Sequence, residues 1–306
     1  MAGRRHTLRF ALAALALGSV AACASIVGVD DLEIGECKGG RCGPDGGEIE
    51  REPPIEPDGG ILDAAAVDAT AAPCLGEAGP VGVRVGPQAN SFCVDRTEVS
   101  FGHYRAFLEA GVDARAQGPE CTWNTSFTPT RAGDDDLPVT GVDWCDAVAY
   151  CAWAGKYLCG KAMVGKKVGP VAQSEVGDYD THQWLIACSA QKNRYPYGSI
   201  HEPTACNVGE NDAGKALPVG SKPECEGSYP GVFDMIGNVW EWFDGPCRAD
   251  GGLAGDAGDA GRAADECLVK GGGYPNRGTN IDCRVDGLGS RRDMKAAFLG
   301  IRCCSD

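Results

Sequence analysis

Histidine is scarce in this chain: four in 306 residues, with His6 near the start and only His103, His182 and His201 beyond it. No Cys-x-x-Cys spacing occurs, so the nitrogen and sulfur ligand sets that hold zinc are missing. There is no Gly-x-Ser-x-Gly elbow for a serine nucleophile and no complete Gly-x-x-x-x-Gly-Lys-Ser/Thr loop for a phosphate. Positive charge is short: Lys and Arg number 28 against 43 Asp and Glu, for a net charge of −15. A nucleic-acid-reading surface needs clustered Lys and Arg, and this balance points away from that partner. No apolar run is long enough to cross a bilayer.

What is present begins with a processing signal. Arg4, Arg5 and Arg9 precede an apolar run from Phe10 to Leu17, and Val20-Ala21-Ala22 leads into Cys23. The pattern resembles a bacterial lipobox, with Cys23 as the lipidated first residue of the mature protein; ordinary cleavage and a short core helix are the alternatives. Residues 1–22 carry three arginines and no acid, so their removal leaves −18. From residue 23 to 73 the composition turns to Gly, Pro, Asp, Glu and Ala, without aromatics. Such a segment cannot bury enough apolar surface to order itself, and it is expected to act as a tether. The location these features imply is the cell membrane or outer membrane, lipid-anchored and extracytoplasmic.

Cysteine is abundant. Seventeen occur, and with Cys23 set aside an even number remains, which after an export signal reads as a disulfide framework. Cys37 and Cys42 are expected to close a small ring in the tether. Cys159, which closes the segment after the Trp144–Ala154 helix, is expected to pair with Cys188, which ends the short helix that should pack beside it. Cys247 is expected to pair with Cys267 across the Gly/Asp/Ala-rich stretch 251–264.

Residues 74–306 suffice for one domain with a sizeable core. Phe92–Asp95 reads as a strand. Ser100 can cap a helix to about Ala110, with Tyr104, Phe107 and Leu108 on one face and Gly111 as its stop. Asp143 can cap a second helix, with Trp144, Val148 and Cys151 on one face, ending at Gly155. A third, short helix covers Gln183–Cys188, followed by Gly-, Pro- and Asn-rich chain with short extended pieces. The fold class these elements imply is α+β, with little regular secondary structure, held by disulfides.

The densest chemistry lies in Gly231–Trp242, Gly-Val-Phe-Asp-Met-Ile-Gly-Asn-Val-Trp-Glu-Trp. Asp234 and Glu241, with carbonyls at Gly237 and Val239 between them, make a hard-oxygen set suited to Ca²⁺. The same residues also suit a buried, hydrogen-bonded loop without a metal.

This stretch resembles the signature of the formylglycine-generating enzyme, or sulfatase-modifying factor, family. Other segments follow in the family's order: Phe92–Ser100, Val142-Asp143-Trp144, Ala149–Lys156, Gln183-Trp184, Tyr195–Gly198, Cys206-Asn207-Val208, Pro218–Ser221, Val269–Gly273 and Gly300–Cys303. The resemblance implies a single-domain variant of the C-type lectin fold. It also implies oxidation of a sulfatase cysteine to formylglycine, using O₂ and Cu(I) held by two thiolates spaced Cys-x4-Cys after the Gly-Gly-Ser turn. Here those positions hold Asn276 and Ile281, and neither can ligate Cu(I) as a thiolate does. No catalytic residue therefore carries over, and copper is not the expected cofactor. The family's calcium ligands do carry over: Asp234, Gly237, Val239 and Glu241 at a main site. A second site would use Asn207, the Val208 carbonyl and Asp212, with Asn211 fitting the last position equally well.

Three functional readings follow. The first is a non-catalytic, membrane-tethered module, stabilised by calcium, that binds or scaffolds. The second is a formylglycine-generating oxidoreductase with a relocated thiol. The third is an accessory lipoprotein that recognises a peptide or glycan without chemistry.

Overall fold

The structure, a computed structural model, describes residues 74, 78–190, 192–209, 214–248, 262–277 and 281–306. Cys23, Cys37, Cys42, the leader, the whole of the tether, Asn211, Asp212 and residues 249–261 lie outside the described residues. What is described falls within one compact unit, Gly60–Asp306.

Three helices form, two of them where their caps predict. Helix α1, Phe101–Glu109, and helix α2, Trp144–Trp153, each begin with a side-chain cap. Ser100 accepts from the His103 amide, and Asp143 from that of Asp146. In α1, Tyr104 and Phe107 are buried with Phe101, but Leu108 is 38% exposed. The expected three-residue face is therefore narrower, because Leu108 falls at its edge. Helix α3, Gln183–Ser189, is buried throughout.

The strands make two four-stranded sheets and a hairpin. Strands β1 (Gly82–Val85), β2 (Phe92–Asp95) and β3 (Tyr157–Leu158) join the last strand, β10 (Cys303–Ser305), in the order β1-β2-β10-β3. β4 (Lys161–Met163) and β5 (Lys166–Gly169) pair as the hairpin. β6 (Trp240–Arg248), β7 (Glu266–Lys270), β8 (Asp286–Arg291) and β9 (Leu299–Ile301) form the second sheet, in the order β8-β7-β6-β9. β9 runs parallel to β6, and β10 runs antiparallel to β2 and β3. The chain therefore steps from one sheet into the other at a single residue, Arg302.

One apolar cluster packs α1 and α2 against β6 and β9, with Tyr104, Phe107, Tyr150, Trp242 and Ile301 at its centre. A second gathers Phe92, Trp184, Met235, Ile236 and Ile281. Seven disulfides brace them, and all fourteen cysteines from Cys74 onward are paired. Cys247 bonds Cys267, across the paired strands β6 and β7. The expected Cys159–Cys188 bond is not formed. Cys159 follows edge strand β3, whose neighbour is β10, and bonds Cys304. Cys188 sits at the end of α3 and bonds Cys283. The segment after Cys159 does meet α3, through the mutual Gly160–Gln183 hydrogen bonds, but at the helix's first residue, whereas Cys188 lies near its other end.

Candidate functional site

Gly231–Trp242 folds as a tight loop leading into β6. Four of its residues have positive φ: Gly231 (φ 91), Asp234 (φ 58), Gly237 (φ 77) and Asn238 (φ 52). At Gly237 a Cβ would lie 2.6 Å from the Asn207 carbonyl oxygen, so only glycine permits the approach. Asn238 secures the contact. Its amide N donates to the Asn207 carbonyl at 2.8 Å, and its Oδ1 accepts from Asn207 Nδ2 at 2.9 Å and from the Leu217 amide at 2.9 Å. The two segments expected to bear calcium ligands are thus locked together. Asn207 Oδ1 is buried and has no hydrogen-bond partner.

Glu241 is fully buried and doubly engaged. Its Oε2 accepts from Trp184 Nε1 at 2.6 Å, and its Oε1 from Arg302 Nε at 2.9 Å. Burial pushes its carboxyl upward, against the pull of Arg302 and the Trp184 hydrogen bond. Arg302 is itself spread over three neighbours: Nη1 donates to the Asp95 carbonyl at 2.7 Å and Nη2 to the Phe233 carbonyl at 2.9 Å. Asp234 Oδ2 accepts from the Gly220 amide at 2.6 Å, and burial raises its carboxyl too. Against Asp234 lies Glu98, a residue to which sequence reasoning assigned no role. Glu98 is fully buried, and its carboxyl lies within hydrogen-bond reach of that of Asp234, so the two can share a proton. Its carboxyl is pushed well above the ordinary range, first by burial and then by the charge of Asp234. The available signal was an acid between Thr97 and Val99, both buried, in the irregular chain after β2.

Among the described residues no three His, Cys, Asp or Glu side chains converge tightly enough to hold a metal by themselves. The oxygen chemistry still fits a hard cation, because Asn207 presents a buried, unpartnered oxygen beside the loop. A copper site does not fit. Asn276 Oδ1 is used locally, accepting from the Gly273 amide at 2.9 Å, and Ile281 is buried in the apolar core. Cys283, the nearby cysteine, is bonded to Cys188.

A cavity of ≈ 790 Å³ opens elsewhere, beside α2 and the hairpin. Trp144 and Tyr157 line it, with the ion pairs Lys161–Glu175 and Lys167–Asp244, the latter at 2.6 Å.

A sulfatase-modifying factor enzyme 1-like domain model matches residues 80–306. The chain belongs to that family, and its mixed, helix-poor, disulfide-braced fold is the family's C-type-lectin-like one. It is 29% identical over 185 residues to hercynine oxygenase of Mycolicibacterium smegmatis, a match covering 52% of this chain and 38% of that protein. It is 28% identical over 232 residues to the formylglycine-generating enzyme of Thermomonospora curvata, covering 60% and 68%. Among solved structures, PvdO from Pseudomonas aeruginosa aligns at a TM-score of 0.49 and 20% identity, covering 77% of this chain and 99% of that one. The match spans about two fifths of the hercynine oxygenase chain.

Proposed function

We propose that this protein is a lipid-tethered, extracytoplasmic member of the family that does not carry out thiolate-copper oxidation and acts as a calcium-stabilised binding or structural module. One observation carries the reading: the positions for the copper-binding pair hold Asn276 and Ile281, while every described cysteine is in a disulfide. Seven disulfides fit folding in an oxidising compartment. No helix among the described residues is long and apolar enough to cross a membrane, so a membrane location would rest on acylation at Cys23. The cavity walled by Trp144 and Tyr157 and edged by ion pairs suits a polar ligand with flat apolar faces, such as a glycan or a peptide.

A second reading, oxidative chemistry, is favoured by the printed activities of the relatives, an oxygenase and a formylglycine-generating enzyme. One experiment separates the two. Folded, unreduced protein is titrated for thiols, then incubated with a sulfatase-motif peptide, O₂ and Cu(I), and the peptide is weighed by mass spectrometry. The binding-module reading expects no thiol from the domain and no formylglycine. Conversion of the peptide would overturn it in favour of the oxidoreductase.

A further inference from the structure

Lys270 ends strand β7, and the register sets it directly opposite Asp286, the first residue of β8. Directly opposed residues of an antiparallel pair send their side chains to the same face. Lys270 Nζ is accordingly 2.5 Å from Asp286 Oδ1, with the lysine side chain fully buried and that of the aspartate 25% exposed. The contact lies off the direction of a hydrogen bond, and neither atom has a hydrogen-bond partner among the described residues. Beyond it Nζ faces the Trp184 ring, 5.7 Å from its centre. Lys156, the other buried lysine, is met differently: it donates to Asp95 Oδ1 at 2.5 Å and to the Pro80 carbonyl at 2.6 Å. An ammonium sealed in the interior without such acceptors is costly. A neutral amine against a neutral carboxyl is far less so, and burial moves both groups that way, lowering Lys270 and raising Asp286.

We propose that Lys270 and Asp286 are joined by an amide bond that the folded protein forms by itself. The Lys270 amine attacks Asp286 Cγ, the bond from Cγ to the carboxyl hydroxyl breaks, and the hydroxyl leaves as water with a proton from the nitrogen. No oxidant, reductant or cofactor is consumed. The ladder supplies what the reaction needs most, because it holds amine and carboxyl together as one chain would hold two ends of a ring. Burial of Nζ shields the product from hydrolysis, while the partly exposed Asp286 gives the released water a way out. The bond also has a place in the bracing of the fold. β8 is an edge strand paired with β7 alone, and it contains no cysteine. An amide clamps it where no disulfide does, and reductants do not open it. The bond removes the Lys270 charge that His182 feels, leaving burial to keep that imidazole neutral. The inference is independent of calcium and of the lipid anchor.

The test uses the full chain, purified folded, then denatured, reduced, alkylated and cut with trypsin. Cleavage at the arginines gives one peptide over residues 263–277, whose sole lysine is Lys270, and another over 285–291, whose sole acidic side chain is Asp286. Wild type should yield the two joined as a branched species, lighter than their sum by one water and uncut after Lys270. Fragmentation should place the link on Lys270 and Asp286. Lys270→Arg keeps the cation and lacks an amine able to form the bond, so its digest should hold the two peptides apart, and the variant should melt below wild type. If the wild-type digest is cut after Lys270 and releases residues 285–291 unlinked at full yield, the pair is an ion pair only and the proposal falls. The wild-type digest decides by itself, so the test stands even where Lys270→Arg does not fold.

Discussion

Arg302 donates through Nε to Glu241 Oε1 at 2.9 Å, and both side chains are shut off from solvent. Arg302 is also the residue at which the chain leaves β9 for β10, so one guanidinium ties the second sheet, through Glu241 on β6, to the first, through the Asp95 carbonyl on β2. A planar five-donor fork can serve three directions at once, which an ammonium cannot.

Replacing that fork is expected to be severe. Arg302→Met leaves Glu241 buried beside Glu98 and Asp234 with no cation in contact, and a broken buried pair costs about 3–5 kcal/mol. Arg302→Lys should recover only part of this. Urea unfolding at pH 5 and pH 8 checks the argument: the loss should be larger at pH 8, where the orphaned carboxyls can no longer relieve themselves by taking protons. A loss below 1 kcal/mol at both pH values would show that the pair is not structural.

His182 sets a pH dependence of the opposite sign. Its ring stacks on Phe243 at 5.1 Å, and Nδ1 lies 2.8 Å from the Val176 carbonyl. Burial, aided by the charge of Lys270, lowers its pKa to about 3. The unfolded chain binds this proton near pH 6.5 and the folded chain does not, so stability falls as pH drops from about 6.5 toward 3, by up to ~1.4 kcal/mol per unit. His182→Asn keeps a donor for Val176 and removes the titration. Its unfolding free energy should therefore fall less steeply than that of wild type across that window, even though its value at pH 7 is lower. Parallel slopes would refute the assignment.

Lys295 holds a second buried acid pair. Its Nζ lies 2.6 Å from Asp146 Oδ2 and 3.3 Å from Asp143 Oδ2. Burial and the neighbouring Asp146 raise Asp143 to about 7. A raised carboxyl contributes stability at low pH and loses it as pH climbs through that value. Lys295→Met removes the shared cation and should destabilise by about 3–5 kcal/mol, more at pH 8 than at pH 5. Adding Asp143→Asn, which can still cap α2, should restore most of the loss. Thermal unfolding of the single and double variants reads both effects.

Local signals carried the helices and β2, because caps and short periodicities are written within a few residues: Ser100, Asp143 and the stops at Gly111 and Gly155 lie where the elements end. Family motifs carried the fold class. What could not be read was long-range. Nothing near Glu241 says that its partner is Arg302, 61 residues on, and nothing near Glu98 says that Asp234 will press on it. The same holds for Cys159, whose pairing depends on which strand adjoins β3. Charge compensation and disulfide choice are decided by the packed topology, so they follow the fold rather than announce it.

The Cys159 pairing can be tested by counting thiols. The adjacent cysteines Cys303 and Cys304 face opposite sides of β10 and bond Cys151 and Cys159 respectively, while Cys188 bonds Cys283. If so, Cys159→Ser with Cys304→Ser removes one whole bridge and frees no thiol. Cys159→Ser with Cys188→Ser instead breaks two bridges and strands Cys304 and Cys283. Titration of the folded double variants against wild type should therefore show no added thiol in the first and two in the second. A Cys159–Cys188 bond predicts the reverse order, with two added in the first and none in the second. The stabilities should differ in the same direction. The first variant loses a bridge closing a separation of 145 residues, which the chain-entropy model values at about 5 kcal/mol and measured cases at about 2–5. The second loses that bridge and also one closing 95 residues, so it should unfold at the lower denaturant concentration.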